Sequence, residues 1–119
     1  MDEETKQDAG QDGPANQVTV RGRLTADPVA RTLPSGAQIV TVRVSVPREQ
    51  TVMTRGSRQT TDWFDCTAWS SASRRRVSSW VEDDQVELTG ALRRRHYRQG
   101  DGGGSRIDIE VLSAKRLSS

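Results

Sequence analysis

Trp63-Phe64-Asp65-Cys66-Thr67-Ala68-Trp69 is the stretch whose reading decides the fold. Its residues change character at every step. Phe64, Cys66 and Ala68 make one set, small or apolar. Trp63, Asp65, Thr67 and Trp69 make the other. Alternation at period 2 is the signature of a β-strand with one buried face. The even set is expected to face a core. Two tryptophans are then left on a polar face, where they need a cover: a partner subunit, or a ligand stacked on the rings.

The same alternation extends in both directions. Val18, Val20, Gly22 and Leu24 alternate with Thr19, Arg21 and Arg23 in a first strand. Val40, Val42, Val44 and Val46 alternate with Thr41, Arg43 and Ser45 in a second, which Pro47 ends. Asp27-Pro28 and Leu33-Pro34-Ser35-Gly36 are turn chemistry. Residues 48–60 are polar and aperiodic, a loop. The tryptophan stretch is the third strand. Ser70 to Val81 has no alternation, no Gly and no Pro, and reads as a short helix. Val86, Leu88, Gly90 and Leu92 define a fourth strand, whose outward parity runs on through Arg93, Arg95 and Tyr97. Arg98 to Ser105 is Gly-rich and reads as a flexible hairpin tip. Ile107, Ile109 and Val111 define a fifth strand.

This all-β order, with a short helix between strands three and four, is that of a five-stranded OB-fold barrel. An open five-stranded meander has the same order. Closure would remove the sheet edges, which suits a chain of 119 residues with 32% hydrophobic and 29% charged residues. The length fits a single domain, taken as residues 17–117 behind an acidic, disordered arm over residues 1–16.

Charge is unevenly distributed. Residues 1–15 hold Asp2, Glu3, Glu4, Asp8 and Asp12 against Lys6 alone. The remainder holds 17 basic and 11 acidic residues, a net of +6. All basic residues but Lys6 and Lys115 are Arg, the cation that forks onto phosphate. An Arg-rich domain behind an anionic arm points to a polyanion partner. The arm is expected to compete with that partner, so deleting residues 1–16 should tighten binding at low salt.

Outward aromatics interleaved with outward arginines are what single-stranded nucleic acid requires. Bases stack on the rings while cations follow the phosphates, and a duplex hides its base faces. The candidate binding residues are Trp63, Trp69, Tyr97, Arg95, Arg93, Arg43, Arg21 and Arg23. Other notable residues have plainer readings. Trp80 packs into the barrel end, Cys66 is a small core residue, and His96 is packed or lies beside a turn. Arg74-Arg75-Arg76 is a solvated helix face.

One cysteine and one histidine allow neither a thiolate cluster nor a histidine-based zinc site. No metal and no cofactor are expected. There is no Ser/His/Asp or Cys/His constellation, and Gly102-Gly103-Gly104 sits in a hairpin instead of between a strand and a helix, so no enzyme is expected. Neither an apolar span nor a signal-like N-terminus is present, so a cytoplasmic, nucleoid-associated protein with no membrane partner is expected.

The chain resembles the bacterial single-stranded DNA-binding proteins. The resemblance runs through Asn16-Gln17-Val18, Gly22-Arg23-Leu24, Asp27-Pro28, Arg31, Pro34-Ser35-Gly36, Asp62-Trp63-Phe64, Trp69 and Gly90-Ala91-Leu92-Arg93. It implies an OB-fold homo-oligomer, a tetramer ahead of a dimer, that coats single-stranded DNA in replication, repair or recombination. By the resemblance Trp63, Trp69 and Tyr97 match stacking positions and Arg95 matches a backbone-contacting one. Arg48-Glu49-Gln50 stands where the family usually places another aromatic, so one platform is missing. Asp65 replaces a residue commonly basic and is expected to repel phosphate. The sequence ends at Leu117-Ser118-Ser119, where the family's housekeeping members continue into a linker and an acidic, partner-recruiting tip, so either a truncated chain or a tailless paralogue is expected. The second reading is an OB-fold assembly module of the primosomal type, with the tryptophans in a protein interface.

Overall fold

The computed structural model describes residues 12–99 and 102–118. Its elements are β1 (Val18–Leu24), β2 (Val29–Thr32), β3 (Gln38–Pro47), β4 (Thr61–Ala68), α1 (Ser71–Ser78), β5 (Gln85–Gln99) and β6 (Gly102–Ser118). β1 pairs with β5, β5 with β6, and β4 with β3, all antiparallel. β6 runs parallel to β4, aligning Cys66 with Ile109 and Thr67 with Glu110. The circuit closes where β3 returns to β1, through Arg23 opposite Ser45 and Leu24 opposite Val44. Five strands thus pair in a ring, the OB-fold arrangement.

β2 lies outside that ring. It pairs with β3 over Gln38–Thr41, on the edge that β1 takes further along. All four residues of β2 are exposed, so burial imposes no alternation on them and no period-2 signal marks the strand.

Closing so small a ring forces strands close together at the corners. A Cβ on Gly22 would collide with the Ser45 carbonyl, and one on Gly90 with the Glu110 carbonyl. Gly90 stands at a register irregularity in the β5–β6 pair, where the strand bends.

The core is built mainly of small branched side chains, each from alternate strand positions. Leu24, Val44, Cys66, Ala68, Val86, Leu88 and Ile109 are fully or almost fully buried. α1 is shorter than the expected Ser70–Val81. The Ser70 side chain caps it by accepting from the Ser73 N–H at 3.1 Å, and Ser79 closes it. Arg75 and Arg76 in its last turn favour the negative end of the helix dipole. Its inner face is Ser73 and Val77, one turn apart, with the Ser73 hydroxyl donating to the Val111 carbonyl at 3.2 Å. Trp80, just beyond the helix, is buried in the core as expected.

The remaining sequence readings need adjustment. The hairpin is paired from Arg98 opposite Gly103 to Gln99 opposite Gly102, so of the flexible tip expected over 98–105 the described residues are strand, and 100–101 lie outside the described residues. His96 is exposed instead of packed, because β5 and β6 run on past the core. Phe64 has inward parity opposite Val44, yet is 37% exposed. The expected arm over residues 1–16 falls outside the described residues as far as residue 11. Asn16 exchanges two 2.8 Å hydrogen bonds with the Leu92 backbone.

Candidate nucleic-acid interface

The outward face of β4 carries Trp63, Asp65 and Thr67, with Trp69 directly after the strand's end. Six residues of extended chain hold the two tryptophans about 20 Å apart along one face. Trp63 is 55% exposed and Trp69 is 38% exposed. β3 sets Arg43 opposite Asp65 and Ser45 opposite Trp63. On the other side β6 contributes Arg106, Asp108 and Glu110, and β5 contributes Arg93 and Arg95. Four adjacent strands therefore present one surface of tryptophan, arginine and carboxylate.

Each tryptophan has an arginine against its ring. The Arg43 guanidinium carbon is 4.2 Å from the Trp63 ring centroid, and that of Arg95 is 5.4 Å from the Trp69 centroid. Both distances are within cation–π range. Each guanidinium covers a ring face and draws the ring into a fixed attitude.

The arginines are held in turn by carboxylates, and the holding atom matters. Arg43 donates through Nε to Asp65 Oδ1 at 2.9 Å, and Arg93 through Nε to Glu110 Oε1 at 2.9 Å. Arg95 Nε lies 3.4 Å from Asp108 Oδ2. A guanidinium anchored through Nε keeps its two terminal NH₂ groups for a second anion. Asp65 therefore orients Arg43, a role beyond the phosphate repulsion expected of it. Asp108 is 3% exposed and also accepts from the Thr67 hydroxyl at 2.8 Å. This buried pair locks the middle of the face. Arg48, absent from the candidate set, repeats the pattern with Nε donating to Asp62 Oδ1 at 2.9 Å.

The candidate residues are not all brought together. Trp63, Trp69, Arg43, Arg93 and Arg95 share this face. Arg21 stands on the β1–β5 pair, where it donates through Nε and Nη2 to Glu87 Oε1 at 2.9 and 2.7 Å. Those hydrogen bonds, led by Arg21 and helped by Lys115, hold the Glu87 carboxyl below its ordinary range. Arg23 shares a row with Ser45 and Trp63, two strands away from the ring, but its Nη1 is engaged by Asp83. Tyr97 has its backbone in β5 opposite Gly104; its side chain lies outside the described residues.

Two arginines missed by the sequence reading complete the face. Arg31 and Arg106 line a cleft of about 380 Å³ with Arg43, Arg95, Asp65 and Thr67. Neither forms an ion pair among the described residues. Arg43, Arg93 and Arg95 are offset by Asp65, Glu110 and Asp108, so the excess positive charge comes from Arg31 and Arg106. Arg106 was legible from the parity of Ile107 and Ile109; Arg31, in the exposed β2, had no such signal.

Rings with fixed attitude, forked cations and little apolar enclosure suit a flexible polyanion with flat groups, such as an unpaired nucleic-acid strand. Comparison with known proteins agrees in kind. The model of the single-strand binding protein family matches residues 15–117. The chain belongs to that family. Its relatives include bacterial proteins. A single-stranded DNA-binding protein of Mycolicibacterium smegmatis is 33% identical over 102 residues, covering 79% of this chain and 58% of the relative. Single-stranded DNA-binding protein 2 of Streptomyces coelicolor is 33% identical over 113 residues, covering 86% and 54%. Single-stranded DNA-binding protein 2 of Listeria innocua is 30% identical over 87 residues, covering 73% and 54%. The chain spans about half the length of the curated relatives it matches.

Proposed function

We propose that this protein binds single-stranded DNA without reading its sequence, in replication, repair or recombination. The observation that carries the reading is the pair of exposed tryptophans on one face of β4. Each is backed by an arginine anchored through Nε. Bases stack on Trp63 and Trp69, while the terminal NH₂ groups of Arg43, Arg93 and Arg95, with Arg31 and Arg106, receive phosphates. The ring faces read no base edge, so recognition is indifferent to sequence.

The protein acts by binding and not by catalysis. Asp65, Asp108 and Glu110 are engaged by arginine, and the Cys66 thiol is buried. It works on DNA in the cytoplasm, at the nucleoid, as a homo-oligomer, a tetramer ahead of a dimer. Leu92, Ile107, Leu112 and Leu117 are exposed apolar side chains available to such an assembly.

The test is titration with oligo(dT), following tryptophan fluorescence at two salt concentrations, with duplex as control. Trp80 is buried and supplies a constant background. Quenching by the single strand alone is expected. Neutralising five phosphates gives a salt slope of about −3.5, at about −0.7 each. Trp63→Ala is expected to cost about 1–3 kcal/mol of affinity. No quenching by either ligand, with full affinity in a folded Trp63→Ala, Trp69→Ala double variant, overturns the stacking mechanism and favours a protein interface.

A further inference from the structure

We propose that the groove between β2, β3 and α1 is a second track for the backbone of the same strand, an inference that rests on the DNA-binding reading above. The groove encloses about 500 Å³ and is lined by Arg31, Gln38, Ser71, Arg74, Arg75 and Ser78, among others. Among the described residues no aspartate or glutamate lines it.

The contrast with the tryptophan face is one of compensation. There Arg43, Arg93 and Arg95 each meet a carboxylate. In the groove three guanidiniums converge with none. Arg31, Arg74 and Arg75 form no ion pair among the described residues. Convergent uncompensated cations raise the local concentration of anions and are relieved by a bound one. The other polar linings, Thr32, Gln38, Ser71 and Ser78, offer the short neutral donors that accompany phosphate and sugar contacts. Among the described residues no aromatic lines the groove, so it holds backbone and stacks no base.

The groove is continuous with the tryptophan face in two ways. Arg31 and Ile39 line both this groove and the cleft containing Arg43 and Arg95. Arg74 spans the junction: its Nε donates to the Trp69 carbonyl at 3.1 Å and its Nη1 to Gln38 Oε1 at 2.9 Å. A strand leaving Trp69 can therefore pass over Arg74 and Arg31 into the groove without crossing a carboxylate-lined surface. A polyanion of repeating phosphates is the ligand that uses both sites at once.

Arg75→Glu tests this, with Arg76→Glu as a control of equal charge on a neighbouring helix residue that does not line the groove. Both side chains are exposed, and Arg75→Ala guards against an effect of the new carboxylate on folding. Binding is measured to a strand of about 8 nucleotides, within the ~4–16 that one OB-fold covers, and to one of about 30. Arg75→Glu is expected to weaken the long strand about tenfold and flatten its salt slope by about 0.7, leaving the short strand within about twofold. Arg75→Ala follows in the same direction, and Arg76→Glu stays near the parent protein.

Equal losses on both lengths, equal losses in the Arg75→Glu and Arg76→Glu proteins, or no loss in any variant overturns the groove. So does Arg75-dependent capture of a polyglutamate peptide without Arg75-dependent DNA binding, which makes the groove a protein-docking surface. If the unsubstituted protein binds neither strand, the reading of the tryptophan face fails and the groove fails with it.

Discussion

The Arg43 guanidinium lies over the Trp63 ring, 4.2 Å from its centroid, while its Nε donates to Asp65 Oδ1 at 2.9 Å. The three side chains come from two strands in register, Arg43 opposite Asp65 and Ser45 opposite Trp63. The ring is therefore steadied by a cation that is itself steadied by an anion. This gives two effects of opposite sign to weigh when DNA arrives. The carboxylate orients Arg43, and it also repels phosphate.

Asp65→Asn separates them. Asparagine keeps an oxygen for the Arg43 Nε, so orientation survives, and the charge is removed. One charge about 6 Å from a phosphate in water is worth ~0.7 kcal/mol, or about threefold in affinity. The exposed ion pair itself is worth ~0–1 kcal/mol. Tighter binding to oligo(dT) at low salt, fading as salt rises, is the expected result. Weaker binding would mean that orientation outweighs repulsion.

Asp108 behaves differently because it is buried. Asp108→Ala leaves the Thr67 hydroxyl without its 2.8 Å acceptor and Arg95 without its counter-charge. A stability loss of about 1–3 kcal/mol is expected, read as a lower denaturant midpoint at unchanged m. Affinity should also fall, since Arg95 then has nothing to hold it over Trp69.

Gly90→Ala tests the closure of the ring. The added methyl would collide with the Glu110 backbone carbonyl, which belongs to the pairing strand and cannot rotate away. Overpacking of this kind costs about 1–3 kcal/mol or more. Ala at Gly13, where a Cβ meets nothing among the described residues, is the neutral comparison.

Cys66 has its thiol pushed up to about 12 by burial first, then by the charges of Asp65 and Asp108. The native protein should be inert to a disulfide reagent at pH 8 and react once unfolded. The folded value lies above the unfolded one, so the thiol's contribution is intact below about pH 9 and is lost as pH rises toward the folded value. Chemical-denaturation midpoints should fall over about pH 9–11, and Cys66→Ala should make that decline shallower.

The strands around Cys66 and Val42 were legible because a buried face and a period of 2 leave a local mark. The same pleat put Trp63 and Trp69 outward. β2 was illegible because Val29–Thr32 is exposed on every residue, so nothing selects an alternating pattern. The start of β6, Gly102–Ser105, was obscured by its own glycines, which pair with β5 through their backbones and need no side-chain signal.

What the sequence by itself determined was therefore the two faces of the strands in the ring and the aromatic character of one of them. Alternation is a property of neighbours along the chain. Which arginines carry usable charge was decided only in the tertiary structure. Arg21 and Arg43 look alike in sequence, each flanked by valine or glycine at strand positions. Register across the sheet gives Arg21 a carboxylate on both Nε and the terminal Nη2, and gives Arg43 one on Nε alone. It also leaves Arg31, Arg74, Arg75 and Arg106 without any among the described residues. The physical reason is that a charge is worth what its nearest opposite charge leaves of it, and that neighbour is supplied by another strand.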